Sequence, residues 1–589
     1  MFLGSQGQGR AWKKNGIYVL SLKGTDTEMA SQHGALLRQQ IQQGALISLA
    51  KKNQDLVNYA PALSQSKVLT KLALGALRLL EFPLRRGLPP SYREEAYALA
   101  KSAGLDLRTV EQASLQADLL VQLMSHSMRR HMMKRFLPNG RPTMPGCSSV
   151  IALAENTKDN GLIHGRNFDY PFVGSWDTYP TVMYMDPTQG QRVISMQTAG
   201  VHTAGITAVN ESGLTLTVHF HCSTRVSLFH GLPVHVIGAE IMKKARTMGE
   251  AIDLMRRMER SGSWSFVLSS GRENKGVVLE VAYGQMAIRD ADATRGKLAA
   301  TNMYRDDKLR DSEVLISCSA LDDFTYRYNR ANELLDHYAS KGTLTPALCA
   351  RILADNIDQQ TGALKAHGNT LSVITTVTSM ISQTALGKFY VANRNESPVC
   401  LGDYAAFDLD ETFKGFDDRD LPQMTWDESA GGPARSCRGT QKEKALQEFR
   451  RAYMAYHNEF DWQKCADHLK TAIDLAPDEG HFRIALGHMH MRLQRPQEAL
   501  HAFLGASKDT ILPLSPHMSQ TLDLFTAHAL DCCGERSQAL DRYKRLDDDK
   551  TLSPHVRKEA KRGLKYSYDL RRARRITFDL QYCDAFDYG

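Results

Sequence analysis

Hydrophobic and polar positions change rhythm twice along this chain. Ile17-Tyr18-Val19-Leu20-Ser21-Leu22 reads as a short strand, after which the segment to residue 136 is largely helical. The stretch from Glu28 to Lys51 is one long helical pattern. Glu111 to Phe136 is another, with Leu119, Leu120, Val121 and Leu123 turned inward. Pro138-Asn139-Gly140-Arg141-Pro142-Thr143-Met144-Pro145 breaks it and sets Gly146–Cys147 in an irregular loop. From Cys147 to about Leu409 strands alternate with helices. Ser148–Leu153 and Leu162–Asn167 face each other across the turn Glu155–Gly161 as a hairpin. Val193–Met196, Leu214–Phe220 and Gly276–Ala282 are strands; Val236 to Met258 and Tyr328 to Tyr338 are helices. Taken alone, this rhythm means α+β.

The last third is different again. Asp410 to Thr440 is rich in Gly, Asp and Ser and reads as a linker or an arm. Beyond it Cys465, Leu469 and Ala472 return 34 residues later as Ala499, Phe503 and Ala506, and Tyr456 matches His490. Small residues at those positions let paired helices approach, while the large ones fill the gap. The spacing is similar to tetratricopeptide (TPR) repeats. A third unit begins at Ala539 and Tyr543, displaced by the insertion Ile511–Pro516.

At 589 residues the chain is too long for one core and implies two or three domains. With 42% apolar and 23% charged residues, neither disorder nor a fibrous class is indicated. A formal charge of +8 is mild and gives no sign of nucleic-acid binding. The densest basic run, Arg571-Arg572-Ala573-Arg574-Arg575, reads as a solvated helix face. Ten cysteines are scattered without a CxxC, so neither zinc nor a disulfide framework is expected. No apolar run is long enough for a transmembrane helix, and Met1 to Lys14 lacks the apolar centre of a signal peptide. The expected compartment is the cytoplasm, or the periplasm if the true start lies upstream.

Chemistry concentrates at Pro145-Gly146-Cys147-Ser148-Ser149, followed by Gly165-Arg166-Asn167-Phe168-Asp169-Tyr170. A cysteine becomes a strong nucleophile beside a base, and the nearest base available to Cys147 is its own α-amine. That amine exists only if the Gly146–Cys147 bond is broken, and glycine leaves the carbonyl uncrowded. The hairpin would carry Arg166 and Asp169 back towards the cysteine. His219 and His221 share one strand face and are candidates for a substrate pocket or for the core. No third ligand is spaced to make them a metal site, and no cofactor is implied.

These features resemble the N-terminal-nucleophile (Ntn) amide hydrolases and acyltransferases. The likeness is to the branch of acyl-coenzyme A:6-aminopenicillanic acid acyltransferase, with bile salt hydrolases and penicillin V acylases as relatives. Besides the Gly-Cys-Ser-Ser junction and the Gly-Arg-Asn-Phe-Asp box, Val209-Asn210-Glu211-Ser212-Gly213-Leu214, Ala300-Thr301-Asn302 and Phe324-Thr325-Tyr326-Arg327-Tyr328 follow in the family's order. The resemblance covers roughly residues 15–410. It implies a four-layer αββα sandwich, followed here by an all-α TPR-like solenoid. It implies a helical pro-segment (1–146) retained after self-cleavage and a catalytic core (147–410); the chain's own pattern adds a linker (411–443), repeats (444–550) and a basic tail (551–589). In the family's terms Cys147 attacks a linear amide or thioester. Asp169 accepts a hydrogen bond from its amine, and Arg166 favours the thiolate. Asn302 donates to the oxyanion, and Arg327 completes the charge network, with Arg330 as rival. The expected partners are an N-acylated small molecule or an acyl-coenzyme A-like donor, and a protein on the repeats. A different class of answer is a repeat scaffold with an inactive Ntn-like domain. A third is a thiol peptidase, for which no histidine is placed as base.

Overall fold

The computed structural model describes residues 1–58, 67–125, 146–227, 230–314, 317–409, 416, 418–426, 431–508, 510–574 and 577–586. The expected helix beyond residue 125, the breaker 138–145, much of the linker and Arg575 lie outside these residues.

In chain order the strands are β1 (Phe2–Gln6), β2 (Gly9–Lys14), β3 (Ile17–Gly24), β4 (Gly146–Ala152), β5 (Ile163–Asp169) and β6 (Pro180–Pro187). Then come β7 (Val193–Thr198), β8 (Thr207–Asn210), β9 (Leu214–Phe220), β10 (Trp264–Ser270), β11 (Lys275–Ala282) and β12 (Gln285–Asp290). The core closes with β13 (Lys297–Ala300), β14 (Thr376–Gln383), β15 (Lys388–Ala392), β16 (Tyr404–Asp408) and β17 (Gln423–Met424). They form two sheets, in the orders β1-β2-β3-β6-β7-β8-β9-β10-β11-β12 and β13-β4-β5-β14-β15-β16-β17.

The sheets face each other, β4 against β9, and both strands are buried along their whole length. Helices Val234–Lys244 and Met248–Arg257 cover the first sheet; Cys318–Tyr338 and Pro346–Leu353 cover the second. This is the αββα arrangement. A strand covered on both faces must be apolar or internally hydrogen-bonded, and β4, β5 and β9 mix both kinds of residue.

The upstream segment is part of this body. β3 pairs in parallel with β6 from Tyr18↔Thr181 to Gly24↔Pro187, so the first sheet begins with strands from residues 2–24. A break at Gly146 would leave that ladder untouched. The long helical pattern from Glu28 to Lys51 is realised as Asp26–Leu36, Arg38–Gln43 and Ala45–Asn58. Thr25 and Glu28 cap the first of these reciprocally, and the chain turns extended at Gly44 before the last. The pattern from Val236 to Met258 also divides, because Ala245 leaves helical geometry and Thr247 caps a new start at Glu250 N.

After the arm, Gln441–Met454, Trp462–Leu475, Gly480–Arg492, Pro496–Gly505, Pro516–Cys532, Arg536–Asp548 and Pro554–Lys565 each pack on the next. Cys465, Leu469, Ala472, Ala499, Phe503, Ala539 and Tyr543 are all buried between them. Gly487 lies so close to Phe503 that a Cβ would come within 2.3 Å of its ring, which shows how tightly that pair approaches. The segment expected as a tail continues the helices and ends in a two-stranded ribbon, Thr577–Asp579 with Asp584–Phe586. The helical block is bonded to the core. Arg450 meets buried Asp177 at 3.0 Å, and Glu479, paired with Lys442 at 2.9 Å, accepts from Ala366 N at 2.6 Å.

Candidate active site

Strand register assembles the site. β4 runs beside β5 with Gly146 opposite Asp169 and Cys147 opposite Phe168, while β13 flanks β4 with Ala300 opposite Ser149. Asn302, just past β13, therefore arrives at the start of β4. Its Oδ1 accepts from Cys147 N at 2.6 Å and its Nδ2 donates to Phe220 O at 2.9 Å. Both ends of the amide are thus engaged in the uncut chain. The Nδ2 amide carries a second N–H, so donation to Phe220 O leaves one donor of Asn302 over.

Arg166 projects from β5 towards Cys147. Nη2 is 3.4 Å from Cys147 Sγ and donates to Val218 O at 2.6 Å; Nη1 donates to Thr207 Oγ1 and to Ile206 O. Its guanidinium is 4.6 Å from the centre of the Phe168 ring. The Cys147 thiol points to Val218 O at 3.6 Å. Burial pushes this thiol up, and the nearby Arg166 charge opposes that effect without cancelling it. In the uncut chain the sulfur is therefore held as a thiol beside a fixed cation.

Asp169 ends β5 without exposure, accepting from Thr376 Oγ1 at 2.7 Å and from Arg327 Nη1 at 3.3 Å. Burial raises its carboxyl to about 6 despite Arg327 and Thr376. Arg327 Nη1 also reaches Cys147 O at 3.2 Å and Ser148 Oγ at 2.7 Å. Nε is fixed to Asp323 Oδ2 at 2.8 Å, one helical turn earlier, and Asp323 Oδ1 accepts from Asn369 N at 3.1 Å. The rival Arg330 is committed elsewhere, to Asp355 at 2.9 and 3.1 Å and to Glu333 at 2.8 Å. Gly146 fits its place narrowly. A Cβ there would lie 3.1 Å from Arg327 Nη2 and 3.3 Å from Asp169 Oδ2.

The C-terminal ribbon borders the same network. Ser317 Oγ donates to Asp584 at 2.6 Å, His367 Nε2 to Gln581 O at 3.0 Å, and Tyr582 sets its ring edge on Phe324.

Cys147 forms part of the wall of a cavity of about 120 Å3. Core residues Phe168, Tyr170, Trp176, Val218, Phe220 and Trp264 line one part. Leu46, Leu49, Leu88, Leu99, Val110, Ala113 and Ala117 of the upstream segment line another. The wall also carries a polar patch. Gly200 N donates to His33 Nε2, so neutral His33 bears its proton on Nδ1 and gives it to His202 Nδ1 at 3.1 Å. Neutral His202, kept so by burial, then carries its proton on Nε2, a buried atom with no hydrogen-bond partner among the described residues; His202 and Glu95 both belong to the wall. Burial raises Glu95 to about 7 against the pull of Lys243 at 3.8 Å.

His219 and His221 do not line this cavity. Both are buried between the sheets: His219 on Ser149 Oγ at 2.8 Å, His221 on Ser265 Oγ at 2.8 Å and stacked 4.1 Å from Tyr304. Their spacing of two residues, at and just past the end of β9, suggests a shared face without saying what that face meets. Asp323 and Thr376 escaped the sequence reading. Asp323 sits at i,i+4 to Arg327, a spacing that could have revealed it; Thr376 carries no local signal.

Residues 156–395 match the family model of acyl-coenzyme A:6-aminopenicillanic acid acyl-transferase, a span that begins after Cys147 and contains Arg166, Asp169, Asn302 and Arg327. An uncharacterized protein of Archaeoglobus fulgidus is 22% identical over 293 residues, 47% of this chain and 46% of its own length. The chain thus spans less than half of that relative. A solved variant of conjugated bile acid hydrolase from Clostridium perfringens aligns at 14% identity and a TM-score of 0.30, covering 48% of this chain and 98% of the hydrolase. The core of this chain is an αββα sandwich, and its residues 156–395 are similar to the acyl-coenzyme A:6-aminopenicillanic acid acyltransferases.

Proposed function

We propose that the chain is a self-cleaving cysteine amidohydrolase or acyltransferase that carries acyl groups on Cys147. The observation that carries this reading is Arg166 Nη2 at 3.4 Å from the sulfur of Cys147, a residue of the wall of a largely apolar cavity. A fixed cation lowers the cost of thiolate in a site where burial otherwise raises it.

In the first stage Cys147 Sγ attacks the Gly146 carbonyl. The C–N bond breaks, a thioester forms, and the proton passes to the nitrogen that Asn302 Oδ1 holds. Water then cleaves the thioester, leaving a carboxylate on Gly146 and an α-amine on Cys147. With a reference pKa of about 7.7–8.0, that amine serves as base for its own thiol. Asp169, anchored by Thr376 and Arg327, orients the amine. In the second stage the thiolate attacks a linear amide or an acyl thioester whose apolar acyl group occupies the cavity. The amine or thiol leaves with a proton, and water or an acceptor amine takes the acyl group. On this reading Asn302 Nδ2, through its second N–H, stabilises the developing oxyanion, and the Arg166 guanidinium adds a fixed positive charge beside it.

Because the upstream segment supplies much of the cavity wall, it acts as a permanent subunit after cleavage. The helical block braces the loop that ends in Asn369, and through Asp323 it bears on Arg327. The test is a burst experiment with an acyl p-nitrophenyl ester and with an acyl thioester, followed by mass analysis of the Cys147 peptide. An acyl adduct on Cys147 that disappears on adding an amine supports the proposal. Turnover with no adduct in wild type, retained in Cys147→Ala, contradicts it.

A further inference from the structure

Helix Lys67–Gly87 is turned the wrong way for a purely aqueous surface. Leu77 and Leu84 are buried, and Leu84 joins Leu88, Leu115, Leu119 and Val236 beneath it. The opposite face is also apolar. Val68 is 68% exposed, Leu72 65%, Leu79 76% and Phe82 60%. Their spacing of 4, 7 and 3 residues puts them in one stripe, with Gly75 in the gap between Leu72 and Leu79 meeting nothing within 4 Å. Lys71, Arg78 and Arg85 recur every seventh residue along one flank, and Arg86 lies in the helix's last turn. Among the described residues Lys71, Arg78 and Arg86 form no ion pair, while Arg85 meets Glu111 at 2.8 Å. No described helix is long and apolar enough to cross a membrane, so this helix is not a span.

We propose that helix Lys67–Gly87 docks the protein flat on an anionic lipid bilayer. The stripe of Val68, Leu72, Leu79 and Phe82 enters the acyl-chain boundary, and the cationic flank meets the lipid phosphates. The charge row is what selects a membrane over an apolar protein groove. An exposed apolar face edged by unpaired cations is the pattern of an interfacial helix, whose binding combines buried apolar area with attraction to anionic headgroups. The placement also fits the cavity. Leu88, one residue beyond the helix, is part of its wall, and so is Glu111, the partner of Arg85. Docking would thus bring lipid to the side of the molecule where the acyl cavity is built. The surface claim itself does not depend on any activity at Cys147.

The full-length protein is tested by flotation with phosphatidylcholine vesicles and with vesicles containing about 30% phosphatidylglycerol, at about 0.1 M salt. The expected result is binding at least about tenfold stronger to the anionic vesicles. Leu72→Glu/Leu79→Glu should abolish binding to both, and Lys71→Glu/Arg78→Glu should remove the anionic preference. A Phe82→Trp variant, read by a blue shift of its emission on adding vesicles, reports insertion without disturbing charge. Thermal melts matching wild type show that the variants fold. Absence of wild-type binding, or binding unchanged by the variants, overturns the proposal. So does a wild-type dimer by light scattering that becomes monomeric in Leu72→Glu/Leu79→Glu without any vesicle binding, because the stripe then serves a second copy.

Discussion

Arg327 and Asp169 meet at 3.3 Å, Nη1 to Oδ2, with neither side chain exposed. The same guanidinium is held by Asp323 and touches the Cys147 carbonyl, so it links a helix of the outer layer to the start of β4. Removing it would strand two buried carboxylates. Breaking a buried pair from one side typically costs about 3–5 kcal/mol. Arg327→Met should therefore lower stability in urea by about that much and abolish processing, whereas Arg327→Met with Asp323→Leu should recover part of the stability and none of the processing.

Gly146 is confined by the same two side chains. Gly146→Ala requires Arg327 Nη2 and Asp169 to give way by a few tenths of an ångström. The fold should survive, and the rate of self-cleavage should fall by about tenfold or more, equivalent to about 1.4 kcal/mol on the barrier. A time course of intact mass after refolding measures this directly.

The cavity wall separates processing from substrate choice. Ala117 lines the cavity, yet it is no part of the hydrogen-bond network around Cys147. Ala117→Phe should leave cleavage at Gly146 intact and lower kcat/KM for a decanoyl amide by about tenfold or more, with an acetyl amide little affected. Equal losses for both chains would count against this cavity as the acyl site.

Asp169 gives the uncut chain a pH signature. Its folded value of about 6 lies above the ordinary 3.8, so between those values the folded state keeps a proton that the unfolded state has lost. Stability is therefore highest below the lower value and falls as pH rises through the window, by about 3 kcal/mol at most. In urea titrations of Cys147→Ala, adding Asp169→Asn should remove this decline. If the two proteins respond identically to pH, Asp169 is not the group that titrates.

How far the residues alone carried can be read at particular positions. The β4–β5 hairpin was legible because alternating apolar runs flank a polar turn, and its register brings Arg166 and Asp169 to Cys147. The helix breaks at Gly44 and at Ala245–Thr247 were not. A break needs one extended residue and a cap, while apolar spacing continues on either side. The choice between Arg327 and Arg330 could not be made from spacing, since both face inward on one helix and only their carboxylate partners differ. The upstream segment showed its helices but not its role in the cavity. Nothing local tells Leu46, Leu99 or Val110 which opposing surface they will meet. The segment after residue 550 showed only its charge. Its buried ribbon depends on Tyr582, Cys583 and Asp584 finding partners more than a hundred residues away.

The central claim is that Cys147 becomes a chain terminus. The direct measurement is the denatured intact mass of the purified protein beside a Cys147→Ala control. Two masses corresponding to residues 1–146 and 147–589 in wild type, and one full-length mass in the control, are the predicted result. A single full-length mass in both would leave Cys147 without an α-amine and contradict the account.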